Sequence, residues 1–289
     1  RNVVCRRMSS VAGLRIVDAW MQHPTRGFLK HEMFTSLRRW MRLDDDNIPD
    51  VPPEMTISGM EQAGVSRGII CAWQGPTETL ISNDEVIDLT RRFPNRFSGL
   101  CSPDIRDPVK AVAEVRRCIA AGLVGVRVLP WLLERPPTDP LFYPIYTVCA
   151  ELGVPICWQV GQTGPMRPSE FGRPIPYVER VALDFPSLKI VCGHVGAPWT
   201  SEMVFVATKF PNVYIDTSAW TPGRYPQELT NFIKTNGKHK VMFGTNFPMI
   251  QHAKCVSELD NLQIPQDVLP LFLSENAQKV FKLPGESKL

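Results

Sequence analysis

The sequence has only five histidines in 289 residues, a formal net charge of +3 and no cysteines spaced as a CxxC pair. Each shortage closes off a class of function. With 32 Lys and Arg against 29 Asp and Glu, neither sign is in enough excess to drive binding to nucleic acid or to a membrane surface, so neither is expected as a partner. The eight cysteines, Cys5, Cys71, Cys101, Cys118, Cys149, Cys157, Cys192 and Cys255, stand singly, without disulfide-framework or zinc-ribbon spacing. Several lie in apolar strand patterns such as "GIICAW" and "KIVCGH", where a thiol packs as a small hydrophobe, and they are read as reduced core residues of a cytoplasmic protein. No apolar run reaches the ~18 residues that a membrane span needs, and the chain does not open on the apolar core of a signal peptide. No GxGxxG follows the first apolar segment, which removes the main support for a dinucleotide-binding fold. Repeats of solenoid period and low-complexity tracts are also missing.

What remains is an α/β pattern. Eight short apolar, β-branched runs recur: "LRIVDAW" (14–20), "SRGIICAW" (66–73), "FSGLCSPD" (97–104), "LVGVRVLP" (123–130), "VPICWQVG" (154–161), "LKIVCGHVG" (188–196), "NVYIDTSA" (212–219) and "KVMFGTNFP" (240–248). Between them lie helical patterns such as "NDEVIDLTRRF", opened by Asn83, "DPVKAVAEVRRCIAAG", stopped by Gly122, and "SEMVFVATKF" after Thr200. Strands that are apolar along their whole length are covered on both faces, as parallel sheets require. Eight βα units at this length predict a closed (β/α)8 TIM-like barrel in a single domain over residues 14–289. Residues 1–13 are set apart as an N-terminal extension, and an open doubly wound sheet is the alternative. The stretch from residue 21 to 53 is long for a barrel loop and carries Phe28, Phe34 and Trp40, so it reads as a packed lid. Its basic cluster, Lys30, Arg38, Arg39 and Arg42, reads as a solvated helix face.

A parallel barrel places its chemistry at the C-terminal ends of its strands. The polar residues closing the predicted strands are Asp18 with Trp20 and Gln22, Trp73, Asp104, Arg127, Gln159, His194, Asp216 with Ser218, and Asn246. Among them His194 can titrate near neutral pH, Arg127 carries a permanent charge, and the amides of Gln22, Gln159 and Asn246 offer N–H donors. Two loops add candidate substrate contacts: "QVGQTGPMRPSEFGRP" brings Thr163, Arg167 and Arg173, and "DTSAWTPGRYP" brings Trp220, Arg224 and Tyr225. Glycines and arginines in such loops suit an anionic ligand.

On the strand-one Asp18, "GVPICWQVG", "GHVG" (193–196), "YIDTSA", "FGTNFP" and the terminal "NAQKVF", the chain resembles the amidohydrolase superfamily, in the branch related to aminocarboxymuconate semialdehyde decarboxylase. The resemblance implies a metal held by a His-x-His on strand one, a His after strand five, a His after strand six and an Asp after strand eight. Here those positions read Trp20, Gln22, Gln159, His194 and Asn246, with His23 beside them. Neutral amide oxygens are weak zinc ligands, so no metal and no other cofactor is expected. The resemblance therefore points to a subgroup without the usual ligands, acting on a small anionic aromatic or acyl substrate such as an aryl β-ketoacyl thioester. In this reading His194, Asp18, Arg127, Gln159 and Asn246 are catalytic: His194 activates water, which attacks a carbonyl polarised by Arg127, Gln159 and Asn246. Trp20, Gln22, Trp73, Thr163, Arg167, Trp220 and Arg224 are expected to bind substrate. Decarboxylation of an aromatic or unsaturated acid is the alternative chemistry, a catalytically silent ligand-binding barrel is the alternative from another class, and homo-oligomerisation is left open.

Overall fold

The computed structural model describes residues 11–42, 48 and 50–283, so the expected extension lies outside the described residues up to residue 10. Ten strands are present: β1 (Ile16–Met21), β2 (Val65–Cys71), β3 (Trp73–Gln74), β4 (Thr79–Ile81), β5 (Phe97–Cys101), β6 (Gly125–Val128), β7 (Ile156–Gln159), β8 (Ile190–Gly193), β9 (Val213–Asp216) and β10 (Val241–Met242). Eight form one parallel sheet in the order β1-β2-β5-β6-β7-β8-β9-β10. The segment after β10 returns to β1, with Ala19 N donating to Phe243 O at 2.9 Å, Asn246 N to Trp20 O at 2.8 Å and Gln22 N to Phe247 O at 3.0 Å. These bonds close the sheet into the expected (β/α)8 barrel. All eight predicted strands are found; the short antiparallel pair β3 and β4 is an excursion that their periodicity does not reveal.

Helix starts follow the capping chemistry of the sequence. The helix Asn83–Arg92 begins one residue earlier than its pattern suggests, because Ser82 rather than Asn83 is the cap. Ser82 Oγ accepts from Glu85 N at 3.2 Å while Ser82 N donates to Glu85 Oε2 at 2.7 Å, a reciprocal box that satisfies two otherwise unpaired amides. Asp107 caps the helix Pro108–Ala120 by accepting from Lys110 N at 3.1 Å, with proline in its first turn.

The lid is ordered as two short helices, Arg26–Lys30 and Thr35–Met41, joined by a 3-10 turn. Phe28 and Phe34 are buried and pack edge-on against Trp73, with ring centroids 5.0 and 5.6 Å away. Arg38 departs from the expected solvated face. Its side chain is buried, and Nη1 donates to Leu29 O at 2.9 Å and His31 O at 2.8 Å, tying the second helix to the end of the first. The seven described cysteines are buried and free, as the apolar strand contexts indicate. No helix among the described residues is long and apolar enough to cross a membrane.

Candidate active site

The C-terminal strand ends and the lid enclose a cavity of about 520 Å³. Gln22, Gln159, His194 and Asn246 form its polar floor, Phe34, Trp73, Trp131 and Trp220 its aromatic walls, and Arg224 stands at its rim. Seven of the sequence-predicted site residues are thus brought together: Gln22, Trp73, Gln159, His194, Trp220, Arg224 and Asn246. Arg224 is exposed and forms no ion pair among the described residues, so its charge is available to a ligand entering an otherwise aromatic opening.

Left-handed backbone turns the floor residues inward. His194 has φ 73°, Ala219 φ 63° and Asn246 φ 67°, and all three line the cavity. Non-glycine residues rarely adopt this region, and such departures concentrate where the fold overrules local preference at working sites.

Behind His194 runs a buried relay. Its Nδ1 lies 2.7 Å from Ser218 Oγ, and Ser218 Oγ contacts Asp216 Oδ1, which also accepts from Ser218 N at 2.9 Å. Asp216 and Ser218 are two residues apart at the end of β9, and both are fully buried. When Asp216 is ionised it can only accept, so the Ser218 hydroxyl donates to it and in turn accepts from His194 Nδ1–H. That hands Nε2 to the cavity as a lone pair. Burial, reinforced by the nearby Arg127 charge, pushes His194 down to about 3. Burial pushes Asp216 up to about 6, opposed by its bonds from Ser218 and by Arg127. The expectation that His194 itself titrates near neutrality is therefore corrected. His194 is neutral there, and the carboxylate behind it is the group that changes charge.

Beneath the floor lies a second arrangement. Trp20 is buried, its ring 5.0 Å from the His194 ring and edge-on to it. The Arg127 guanidinium stacks on the indole with its carbon 3.6 Å from the ring centroid. A Cβ on Gly193 would come within 2.7 Å of the Trp20 ring and 2.9 Å of Asp216 Oδ2, so glycine at the end of β8 makes the room the indole occupies. Arg127 Nη1 donates to Cys71 Sγ, which burial raises to about 11 and so keeps protonated. Nε and Nη2 of Arg127 have no hydrogen-bond partner among the described residues. Neither Trp20 nor Arg127 forms part of the cavity wall, which corrects their expected roles as a substrate contact and a carbonyl-polarising group.

This donor set does not fit the metal that the resemblance implies. Of the matching positions only His194 offers an imidazole, and no group of three or more His, Cys, Asp or Glu among the described residues could hold an ion. An indole fills the space beside His194, and a buried guanidinium lies against it, which repels a divalent cation. His23 does not line the cavity, and its Nδ1 pairs with Thr56 Oγ1 at 3.0 Å.

Four further predicted residues lie away from the cavity wall. Asp18, fully buried, accepts from Trp20 N at 3.1 Å and Thr245 N at 3.0 Å and lies 3.2 Å from His252 Nε2; it ties β1 to the segment after β10. Thr163 donates its backbone N–H to Ser169 Oγ. Arg167 pairs with Glu134 at 2.6 Å, and Arg173 pairs with Glu202 at 2.6 Å. Their loop is held closed by Gly161, whose N–H donates to Gly172 O at 2.8 Å and whose Cβ, if present, would sit 2.5 Å from Ala197 O.

Trp131 and Gln162 join the site without having been expected there. Trp131 Nε1 donates to Gln159 Oε1 at 2.8 Å, and Gln159 Nε2 donates to Gln162 O at 3.2 Å. These bonds hold the Gln159 amide in one orientation and leave one N–H free. The proline and tryptophan of "VLPWL" (128–132) were the available signal, a short turn of helix opening directly at a strand end.

Residues 45–283 match the family model described as Amidohydrolase. Among curated proteins, gamma-resorcylate decarboxylase of Polaromonas sp. is 23% identical over 249 residues, covering 70% of this chain and 75% of that protein. Among solved structures, an uncharacterised TIM-barrel protein from Bordetella bronchiseptica superposes with a TM-score of 0.81 at 22% identity, over 93% of this chain and 99% of the other. The 2,6-dihydroxybenzoate decarboxylase from Rhizobium does so with a TM-score of 0.71 at 18% identity, over 94% and 100%. At these identities the structural likeness speaks for the fold.

Proposed function

Because the chain belongs to the amidohydrolase family and is an enzyme of it, we propose that it uses water, without a resident metal, to cleave a carbon–carbon bond at a carbonyl carbon of a small aromatic anion. One observation carries this reading: His194 is held neutral, with Nδ1 committed to Ser218 and Nε2 without a partner among the described residues at the cavity floor. An imidazole so placed can take a proton but has none to give at the outset. That suits activation of water and does not suit direct protonation of a substrate carbon.

Nε2 takes a proton from water as the oxygen adds to the carbonyl carbon. The imidazolium that forms keeps its Nδ1–H on Ser218, with ionised Asp216 behind it to stabilise the new charge. The tetrahedral oxyanion meets Asn246 Nδ2, which has no partner among the described residues, and the free N–H of Gln159. The carbon–carbon bond then breaks with its electron pair on the leaving carbon, and that carbon takes back the proton from His194. For an aryl β-ketoacyl thioester, the finer candidate, the leaving carbanion is the enolate of the shorter thioester, and the other product is an aromatic carboxylate. The aromatic walls accept a ring, and Arg224 accepts an anionic group at the rim.

Decarboxylation is the second reading, supported by the names of two relatives, gamma-resorcylate decarboxylase and 2,6-dihydroxybenzoate decarboxylase. Turnover in water enriched in oxygen-18 separates the two. Hydrolytic cleavage puts one labelled oxygen into a product carboxylate, whereas decarboxylation releases carbon dioxide and leaves the aromatic product unlabelled. Carbon dioxide release without label would replace the first reading by the second. Binding of aromatic anions with turnover of neither kind would leave a binding barrel.

A further inference from the structure

Gln22 carries an acceptor that the protein itself leaves unused. It follows the end of β1, is fully buried and lines the cavity floor. Its amide orientation is set by the backbone opposite, with Nε2 donating to Phe247 O at 2.6 Å and lying 3.4 Å from Asn246 Oδ1. Turning the amide over would bring Oε1 against the Phe247 carbonyl, acceptor against acceptor, so the oxygen is held on the other arm. There Oε1 has no hydrogen-bond donor among the described residues. The other floor glutamine differs, because Gln159 Oε1 is already taken by Trp131 Nε1 at 2.8 Å. A buried acceptor without a donor costs ~1–3 kcal/mol, a cost that a ligand supplying the donor recovers.

Resting on the aromatic-anion reading above, we propose that Gln22 is a specificity-determining residue: its Oε1 accepts a hydrogen bond from a hydroxyl or N–H on the substrate's ring, while the anionic group lies toward Arg224. The two ends of the cavity then read opposite polarities. Arg224 offers only donors at the rim, and Gln22 Oε1 offers only an acceptor at the floor. A ring ether, which cannot donate, would be refused at the floor although it differs from the hydroxyl by one methyl group. Sites built around a substrate hydroxyl discriminate in this way because the analogue leaves the buried partner unpaired.

Calorimetric titration of the full chain with benzoate, the three monohydroxybenzoates and their methyl ethers tests this. At least one hydroxybenzoate is expected to bind about 10- to 100-fold more tightly than benzoate, and its methyl ether no more tightly than benzoate. In Gln22→Leu the gap should close to within about threefold, through loss of affinity for the hydroxybenzoate while benzoate affinity holds. Gln22→Met serves as a second variant of similar volume. The fold should survive both, since the Gln22 backbone N–H still donates to Phe247 O. Equal binding of benzoate and all its hydroxylated forms, or a gap that persists in both variants, would overturn the role of Gln22 and leave the aromatic-anion reading standing. Failure of every aromatic carboxylate to bind would overturn that reading and this proposal with it.

Discussion

On the β8 and β9 side of the cavity the polar atoms form a chain, from His194 Nδ1 to Ser218 Oγ to Asp216 Oδ1. On the β1 and β6 side a guanidinium lies against an indole face and leaves two of its nitrogens without hydrogen-bond partners among the described residues. The first half is linked by hydrogen bonds along which a proton can pass, and Asp216 within it changes charge at about 6. The second half has no such chain of paired donors and acceptors. Its contribution is volume and a fixed positive field, which adds to the lowering of His194 by burial and opposes the raising of Asp216 by burial. Under the proposed reading, one side supplies the base and the other a fixed positive charge.

The sharpest way to break the comparison is His194→Asn, which should cost about 10²–10⁴ in turnover, the usual worth of a positioned proton transfer. The fold should remain, because asparagine tolerates the left-handed backbone at this position better than most residues. A rate within threefold of the parent would reduce the relay to a structural network. Trp20→Ala attacks the other half and should destabilise the barrel by ~3–5 kcal/mol, as for large buried aromatics generally. Chemical unfolding measures this, and a loss below ~1 kcal/mol would show that the indole is not tightly packed beneath the floor.

Asp216 sets the pH response. Raised to about 6 by burial, it should make turnover fall about tenfold per pH unit below that value and level off above it. A profile flat from pH 5 to 8 would contradict the relay. Stability follows these shifts with opposite signs. Asp216 binds its proton more firmly when folded, so its contribution is complete below its ordinary 3.8 and is lost as pH rises through about 6. His194, lowered to about 3, contributes fully above its ordinary 6.5, and that contribution is lost as pH falls toward 3. Asp216→Asn should therefore remove the loss between pH 4 and 6 and leave the gain from His194 exposed in the unfolding midpoint.

The smallest effects separate the arginines of the rim. Arg224→Met should raise KM about tenfold with kcat little changed, the signature of an anchor that binds ground and transition states alike. Arg167→Met should change KM by less than about twofold, because Arg167 is already paired with Glu134 at the surface. Equal effects would undo the distinction between a free and an occupied charge.

Much of this was legible before any coordinates. Strand positions follow from apolar runs bounded by Gly and Pro, and the barrel from their number and length. Strand ends mark the face where the floor residues Gln22, Gln159, His194 and Asn246 meet. Those inferences rest on local chemistry and chain order, which a sequence carries directly. It could not show which arginine is free: Arg127, Arg167 and Arg224 are chemically identical in the chain, and only the tertiary structure assigns them an indole, a glutamate and no ion-pair partner among the described residues. Nor could it place the titration. His194 is an ordinary histidine in sequence, and its shift comes from burial and from a charge delivered by a strand 67 positions earlier at Arg127. Residue types and their order were enough to name the elements and the face of the barrel. Who pairs with whom, and hence which group holds charge at neutral pH, depends on distances and desolvation that exist only once the strands have closed around them.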